Sequence, residues 1–205
     1  FLDGKNSQLP LVLGSIPKIE TNTNSIDESL PSVSIPIDGN TNIEKAFNFF
    51  ISPEGGEFTP QQACGMIGNF CVESGATANR GDINPAAVSG FKDEGSFGIA
   101  QWNPAKKAGD RFGELQKFAG RINKDYREME TQLRFVKHEL ETLPYLGIGQ
   151  LRSATTLKDA TIIFQNKYER PNKDLAHTDQ RIAFAQETMK KLGTGVDDDP
   201  INPEE

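Results

Sequence analysis

The sequence predicts a mainly α-helical domain over residues 42–193, flanked by segments that do not share its pattern. Three observations carry this. Apolar residues recur at helical spacing from Asn42 onward, helix-capping signals stand at the right offsets, and neither flank repeats that spacing. At 205 residues with 36% hydrophobic content, the chain buries one ordinary core and is short for two, so one main domain with extensions is expected.

The first element, 1–19, reads as two short strands around a turn. Phe1-Leu2 precedes Asp3-Gly4-Lys5-Asn6, and Leu11 to Ile16 follows. Two strands do not stand alone, so this strip reads as the end of a β domain. An opening Phe1 in place of Met fits a processed chain or a piece of a longer one, with any export signal elsewhere. Residues 20–41, rich in Thr, Asn, Ser and Pro, read as an extended linker.

Helical signals then begin. Asn42 is placed to cap a helix carrying Ile43, Ala46, Phe47 and Phe50, and Thr59-Pro60-Gln61-Gln62 forms a capping box with Pro at the first helical position. This second helix puts Ala63, Met66, Ile67, Phe70 and Cys71 on one broad face and ends near Gly75, a plausible cap. Three further stripes follow: Met129, Leu133, Val136 and Leu140; Ile162, Ile163, Gln165 and Tyr168; Ile182, Ala185, Met189 and Leu192. Residues 194–205, with five acids and two prolines after Val196, read as an acidic tail or another linker.

Composition narrows the function. A net charge of −7 argues against a nucleic-acid partner, which needs clustered Lys and Arg to neutralise phosphates. No apolar run approaches the roughly 18 residues that span a bilayer. Cys64 and Cys71 lie seven residues apart on one helix, about 10 Å at 1.5 Å per residue, so a bridge between them is excluded and they read as buried thiols. His138 and His177 have no acid or Cys at ligand spacing, so neither a metal nor another cofactor is expected.

Chemistry centres on Glu73. It stands in the last turn of the second helix beside Met66 and Phe70, where the negative end of the helix dipole and partial desolvation both disfavour a carboxylate. A carboxyl so placed suits a general acid that protonates the leaving oxygen of a glycosidic bond. A surface Glu at a helix end is the plainer reading of the same spacing.

The segments beyond it decide between the two. Glu73-Ser74-Gly75 is followed by Asn84-Pro85-Ala86-Ala87-Val88-Ser89, by Gly95-Ser96-Phe97-Gly98-Ile99-Ala100-Gln101-Trp102, and by Tyr168-Glu169-Arg170-Pro171. Their order resembles the lysozyme-like superfamily, with its goose-type lysozymes and lytic transglycosylases. Within it the chain most resembles the phage tail lysozyme family, over about three quarters of its length; Gly65-Met66-Ile67-Gly68-Asn69 looks like that family's helix start. The resemblance implies a lysozyme-like helical domain that cleaves the β-1,4 bond between N-acetylmuramic acid and N-acetylglucosamine in peptidoglycan, with Glu73 as the acid.

It also implies substrate contacts from Ser89, Ser96, Gly98, Gln101, Trp102 and Tyr168. Gly98 would let backbone approach a sugar, and Gln101 offers a donor and an acceptor to an N-acetyl group. Trp102 reads equally as a sugar-stacking ring or a core aromatic, Tyr168 as a cleft wall or a buried phenol, and Glu169 with Arg170 as a local ion pair. Related muramidases place an acid nine residues after the catalytic Glu and a Thr six further on. Asp82 keeps the first spacing, whereas Val88 stands at the second with Ser89 beside it; Asp93 and Glu94 are rivals for the second acid.

Phe1-Leu2-Asp3-Gly4 followed by Pro10 to Ser15 resembles the last hairpin of the OB-like domain in hub and spike proteins of contractile phage tails. That likeness implies other tail and baseplate proteins as partners, a homotrimer held through neighbouring domains, and a place at the virion tail tip, acting in the host periplasm or wall. Two rival readings stand beside the muramidase: a lytic transglycosylase, and a catalytically idle structural or wall-binding module of the hub.

Overall fold

The computed structural model describes residues 36–75, 81–89, 95–105 and 109–193. The expected hairpin, most of the linker, the acidic tail, Asp93 and Glu94 lie outside the described residues. What is described is mainly helical, as expected. Seven α-helices follow in order: α1 (Asn42–Ile51), α2 (Pro60–Glu73), α3 (Arg111–Arg121), α4 (Met129–Thr142), α5 (Ile148–Ser153), α6 (Leu157–Phe164) and α7 (Thr178–Leu192). The sheet is two short antiparallel strands, β1 (Pro104–Ala105) and β2 (Gly109–Asp110).

Local chemistry accounts for the helix starts. Thr41, not Asn42, caps α1: its hydroxyl accepts from the Glu44 amide while the Glu44 side chain returns to the Thr41 amide. Thr59 and Gln62 form the expected box at α2, with Pro60 at the first position. At the other end of α2 the cap is Ser74, and Gly75 follows it in a left-handed conformation with φ +69°.

The core sits around α2. Sequence spacing gives this helix one apolar face, but every residue from Gln62 to Cys71 is buried, so it is enclosed on all sides. Its small residues make that possible. A Cβ on Gly65 would lie 2.8 Å from the Thr161 amide nitrogen on α6, and one on Gly68 would lie 2.3 Å from the Arg181 carbonyl oxygen on α7. Both flanking helices therefore pack on α2 at backbone distance. Phe50, Phe70, Phe164 and Tyr168 run through the centre in successive ring contacts, the outer two stacked and the middle one edge-on, and burial pushes the Cys64 and Cys71 thiols up to about 12, leaving them as inert core groups.

α4 carries the expected stripe, Met129, Leu133, Val136 and Leu140, all buried. Beside it runs a polar line, Gln132 and Glu139, also buried. The stripe over 162–168 begins as α6 and ends as a π-helical turn, Gln165–Glu169, closed by Arg170 in the left-handed region at φ +51°. π-turns of this kind re-aim the side chains that follow them.

A substitution at the tightest helix contact tests this arrangement. Gly68→Ala forces α2 and α7 apart and is expected to cost about 1–3 kcal/mol, the usual range for overpacking. Urea unfolding of the full chain measures it; an unchanged midpoint would contradict the close approach.

Candidate functional site

The end of α2 is tied to the chain that follows it. Ser74 Oγ donates to the Phe70 carbonyl at 2.7 Å and accepts from the Asn84 amide at 3.0 Å, which draws the Asn-Pro loop against Glu73. Asn84 then closes an Asx turn on the Ala86 amide. Ser89 and Ser96 pair through backbone, Ser89 donating to the Ser96 carbonyl at 2.9 Å, and the Gly98 amide donates to the Ala87 carbonyl at 2.8 Å. The two motif segments thus form one layer.

Gln132 staples that layer to α4. Fully buried, it accepts from the Ile99 amide and donates to the Pro85 and Tyr126 carbonyls, so every hydrogen bond its amide reaches is a loop backbone group. Two turns later, Glu139 does the same with charge. Its carboxylate accepts from the Trp102 indole at 2.9 Å, from the Tyr168 hydroxyl at 2.6 Å and from both ends of the Arg111 guanidinium fork at 2.8 and 2.9 Å. Burial and that carboxylate hold the Tyr168 phenol well above its ordinary range, so it stays a donor.

These contacts correct several expectations. Trp102 and Tyr168 show no exposed surface and aim at Glu139, so neither offers a face to a sugar. Gly98 has φ +83°, and the place of its Cβ is filled by Gln132 Oε1 at 2.7 Å and the Trp102 ring at 2.9 Å; packing and backbone demand the glycine. Ser96 is buried. Asp82 caps α1 through bonds of 2.9 Å from the Asn42 and Ile43 amides, a structural use that places it poorly as a nucleophile or base. Glu169 and Arg170 form no ion pair among the described residues; Arg170 instead lies over the Tyr145 ring.

Ser89 is half-buried, and two further predicted residues keep partly exposed polar side chains. Gln101 is partly exposed, with φ +46°, and its Nε2 is committed to the Gly98 carbonyl at 2.9 Å. Strained backbone of this kind collects at functional sites. Glu73 is the other. Its side chain is 18% exposed, and Oε1 accepts from Arg181 Nη2 at 2.6 Å. Arg181, from α7, is buried and spends its other nitrogens on Asn69 Oδ1 and the Ala176 carbonyl, so the guanidinium is fixed before it meets Glu73. Burial and the helix dipole are legible at Glu73 from local sequence, whereas this cation, which comes from α7, is not.

Two further residues were not foreseen. Arg181 and Glu139 lie far from the motifs in sequence, and the only trace of Glu139 is a polar residue at helical spacing beside an apolar stripe. Glu169, expected only as an ion-pair partner of Arg170, stands in a different setting. Its Oε1 is inaccessible and has no hydrogen-bond partner. Burial first, and then the Glu73 carboxylate, hold its carboxyl well above the usual range, against the opposing pull of Arg181 and Arg111. A hollow of about 410 Å³ between α5 and α6 includes none of these residues. Among the described residues no cluster of His, Cys, Asp and Glu fits a metal ion, and no helix is long and apolar enough to cross a membrane.

Compared with known proteins, the chain matches the phage tail lysozyme family model over residues 41–192. No curated protein matches it.

The Glu139 cluster yields a stability prediction. Glu139→Gln leaves Arg111 without its carboxylate and is expected to cost about 3–5 kcal/mol, the usual loss on breaking a buried pair. Tyr168→Phe removes one charge-assisted bond and is expected to cost about 1.5–3 kcal/mol. Denaturant unfolding of both variants would reverse this order if Glu139 were not the hub.

Proposed function

The chain belongs to the phage tail lysozyme family, and from that premise we propose that it is a virion tail-associated peptidoglycan hydrolase, a muramidase that opens the wall for the tail. The bond cut is the β-1,4 link between N-acetylmuramic acid and N-acetylglucosamine. One observation supports this most: Glu73 is partly exposed at a helix end while a buried, pre-fixed guanidinium holds one of its oxygens. Catalysis by positioning needs a group whose geometry does not have to be found on each encounter.

With Oε1 on Arg181, Oε2 is the oxygen left to carry a proton. That proton goes to the leaving glycosidic oxygen as the bond to the sugar C1 breaks. Water adds its oxygen to C1, its proton returns to the carboxylate, and one water is consumed per bond. Gln101, in the loop layer that Ser74 ties to the end of α2, has an amide oxygen to offer an N-acetyl or hydroxyl donor. Ser89, half-buried on the same layer, is the other proposed contact.

Asp82 favours a second reading. Its carboxylate is taken up by the α1 amides, which removes the acid best placed by spacing to activate water. A lytic transglycosylase needs only Glu73: the muramic 6-hydroxyl attacks C1, and a 1,6-anhydro ring forms with no water consumed. The proposed setting, with other tail and baseplate proteins at the tail tip and a trimer formed through neighbouring segments, rests on the N-terminal likeness to hub proteins.

Purified peptidoglycan tests both chemistry and residue. Glu73→Gln, which keeps an oxygen for Arg181, is expected to stay folded by circular dichroism and to lower lysis by about 10³-fold or more, within the range that a lost catalytic acid commands. Mass analysis of the muropeptides is expected to show reducing ends that gain two hydrogens with borohydride. Anhydro ends, one water lighter and inert to borohydride, would move the assignment to transglycosylase. Full lysis by the Glu73→Gln variant would remove Glu73 from the reaction.

A further inference from the structure

Within the Tyr168-Glu169-Arg170-Pro171 motif, the frame takes up the Tyr168 hydroxyl and seals one oxygen of Glu169. Arg170 is left over. It is exposed, and its guanidinium lies 5.9 Å from the centre of the Tyr145 ring. At 64% exposure, Tyr145 is the one exposed aromatic ring among the described residues. A lone exposed ring is ordinary; a ring paired with a guanidinium that the backbone delivers is not.

Backbone holds both partners in place. Tyr145 stands in the 3-10 turn Pro144–Leu146, next to the buried Leu146, and Gly147 closes that turn at φ +90°. The place of a Gly147 Cβ is only 2.6 Å from the Lys167 Cβ, so the 3-10 turn packs directly on the π-turn that carries Arg170 at its end. Arg170 itself is left-handed at φ +51°, its amide donating to the Gln165 carbonyl at 2.7 Å. That conformation is unfavourable for a residue with a side chain, and such residues gather where ligands bind.

The chemistry left open is that of an anion receptor. A guanidinium resting on a ring face spends none of its five N–H donors on the contact, while the ring orients its plane. Arg111, Arg134 and Arg181 each meet a carboxylate, whereas Arg170 meets none among the described residues. Lys167 and Lys173 are exposed and likewise without an acid partner among the described residues, so three cations stand within seven residues; Asp174 is the single exposed acid beside them. A planar carboxylate matches a free guanidinium edge bidentately. In peptidoglycan the carboxylates belong to the peptide stems carried by the muramic acid residues, and the glycan itself is uncharged.

We propose that Arg170, oriented by the Tyr145 ring, is a substrate-binding site for a carboxylate of the peptidoglycan stem peptide. This rests on the reading of the chain as a peptidoglycan hydrolase. The site favours peptide-bearing strands over bare glycan. It acts on affinity and need not touch the bond that Glu73 cuts, because both ligands belong to one polymer.

Binding tests it apart from lysis. The full chain carrying Glu73→Gln, so that the wall stays intact, is co-sedimented with purified sacculi and with the same sacculi after their carboxyls are converted to methylamides. Adding Arg170→Gln is expected to weaken binding to untreated sacculi about threefold to tenfold, the order of a charge-assisted pair at a surface, and to change nothing on the methylamide form. Tyr145→Ala is expected to lose part of the same affinity, and Tyr145→Phe, which retains the ring, to keep it. Lys190→Gln removes an equal charge near the end of α7 and is expected to have little effect. Losses as large from Lys190→Gln as from Arg170→Gln would reduce the effect to net charge and overturn the site. Unchanged binding by Arg170→Gln, an equal loss on methylamide sacculi, or no binding of untreated sacculi by the parent chain would overturn it as well. Carboxylate-dependent binding through Arg170 in a chain whose wild type releases no muropeptide would instead count against the hydrolase reading and leave the site standing.

Discussion

A buried carboxylate organises the half of the molecule that has almost no sheet. Glu139 is 3% exposed, and an ion placed there alone would cost several kcal/mol. It is tolerated because Arg111 meets it with a planar fork and because an indole N–H and a phenol O–H fill its remaining lone pairs. The dependence runs both ways, since the indole and the phenol are themselves sealed from water and have their hydrogen bonds there. The motif ending in Trp102, the start of α3 and the turn carrying Tyr168 therefore share one anchor on α4. Gln132, seven residues earlier on that helix, anchors the Asn-Pro loop with a neutral amide. Side chains from one helix replace the ladder that a larger sheet would supply.

The opposite half is built from close approach. α2 is enclosed because Gly65 and Gly68 let α6 and α7 reach its backbone. Such contact leaves little room for sliding, so Arg181 is delivered from α7 to Asn69 and Glu73 in a single register. Both halves meet at Glu73, the last residue of α2, with Ser74 fastening the loop layer immediately beyond it. Rigid elements thus fix the Glu73 carboxyl, as the proposed role of a positioned acid requires.

Much of the framework was legible because burial writes itself into spacing. The stripe of α4 and the box at Thr59 follow from residues three or four apart, and Glu73 is read correctly as standing in the last turn of a helix. On α6 the buried residues are Ala160, Thr161 and Phe164 in place of Ile162 and Ile163, and on α7 they are Arg181, Ala185 and Thr188, of which the expected stripe holds only Ala185. α3 escaped: Phe112, Leu115, Phe118 and Ala119 have helical spacing, but Gly113 and Gly120 interrupt it. The cap moved from Asn42 to Thr41 because a cap is chosen by which hydroxyl meets its reciprocal Glu, a one-residue distinction. Site partners were out of reach for a different reason. Arg181 stands 108 residues from Glu73, and no local pattern announces a pairing made by two helices crossing.

The aromatic residues show how a motif misleads about contact while being right about kinship. Trp102, Tyr168 and Gly98 lie in segments that carry the family likeness, and each is consumed by the frame: two bond to Glu139, and the third clears space for Gln132. A residue held that tightly by its own protein has no face left for substrate. By the same reasoning, groups with unmet capacity are the ones to ask for chemistry. Glu73 has an oxygen beyond its ion pair, Gln101 has a strained backbone and an amide oxygen, and Glu169 has a sealed oxygen with no partner. Glu73 ends α2, and the charge of Glu73 is felt at Glu169. What the fold leaves unsatisfied is therefore a separate guide from the residues that its motifs spell.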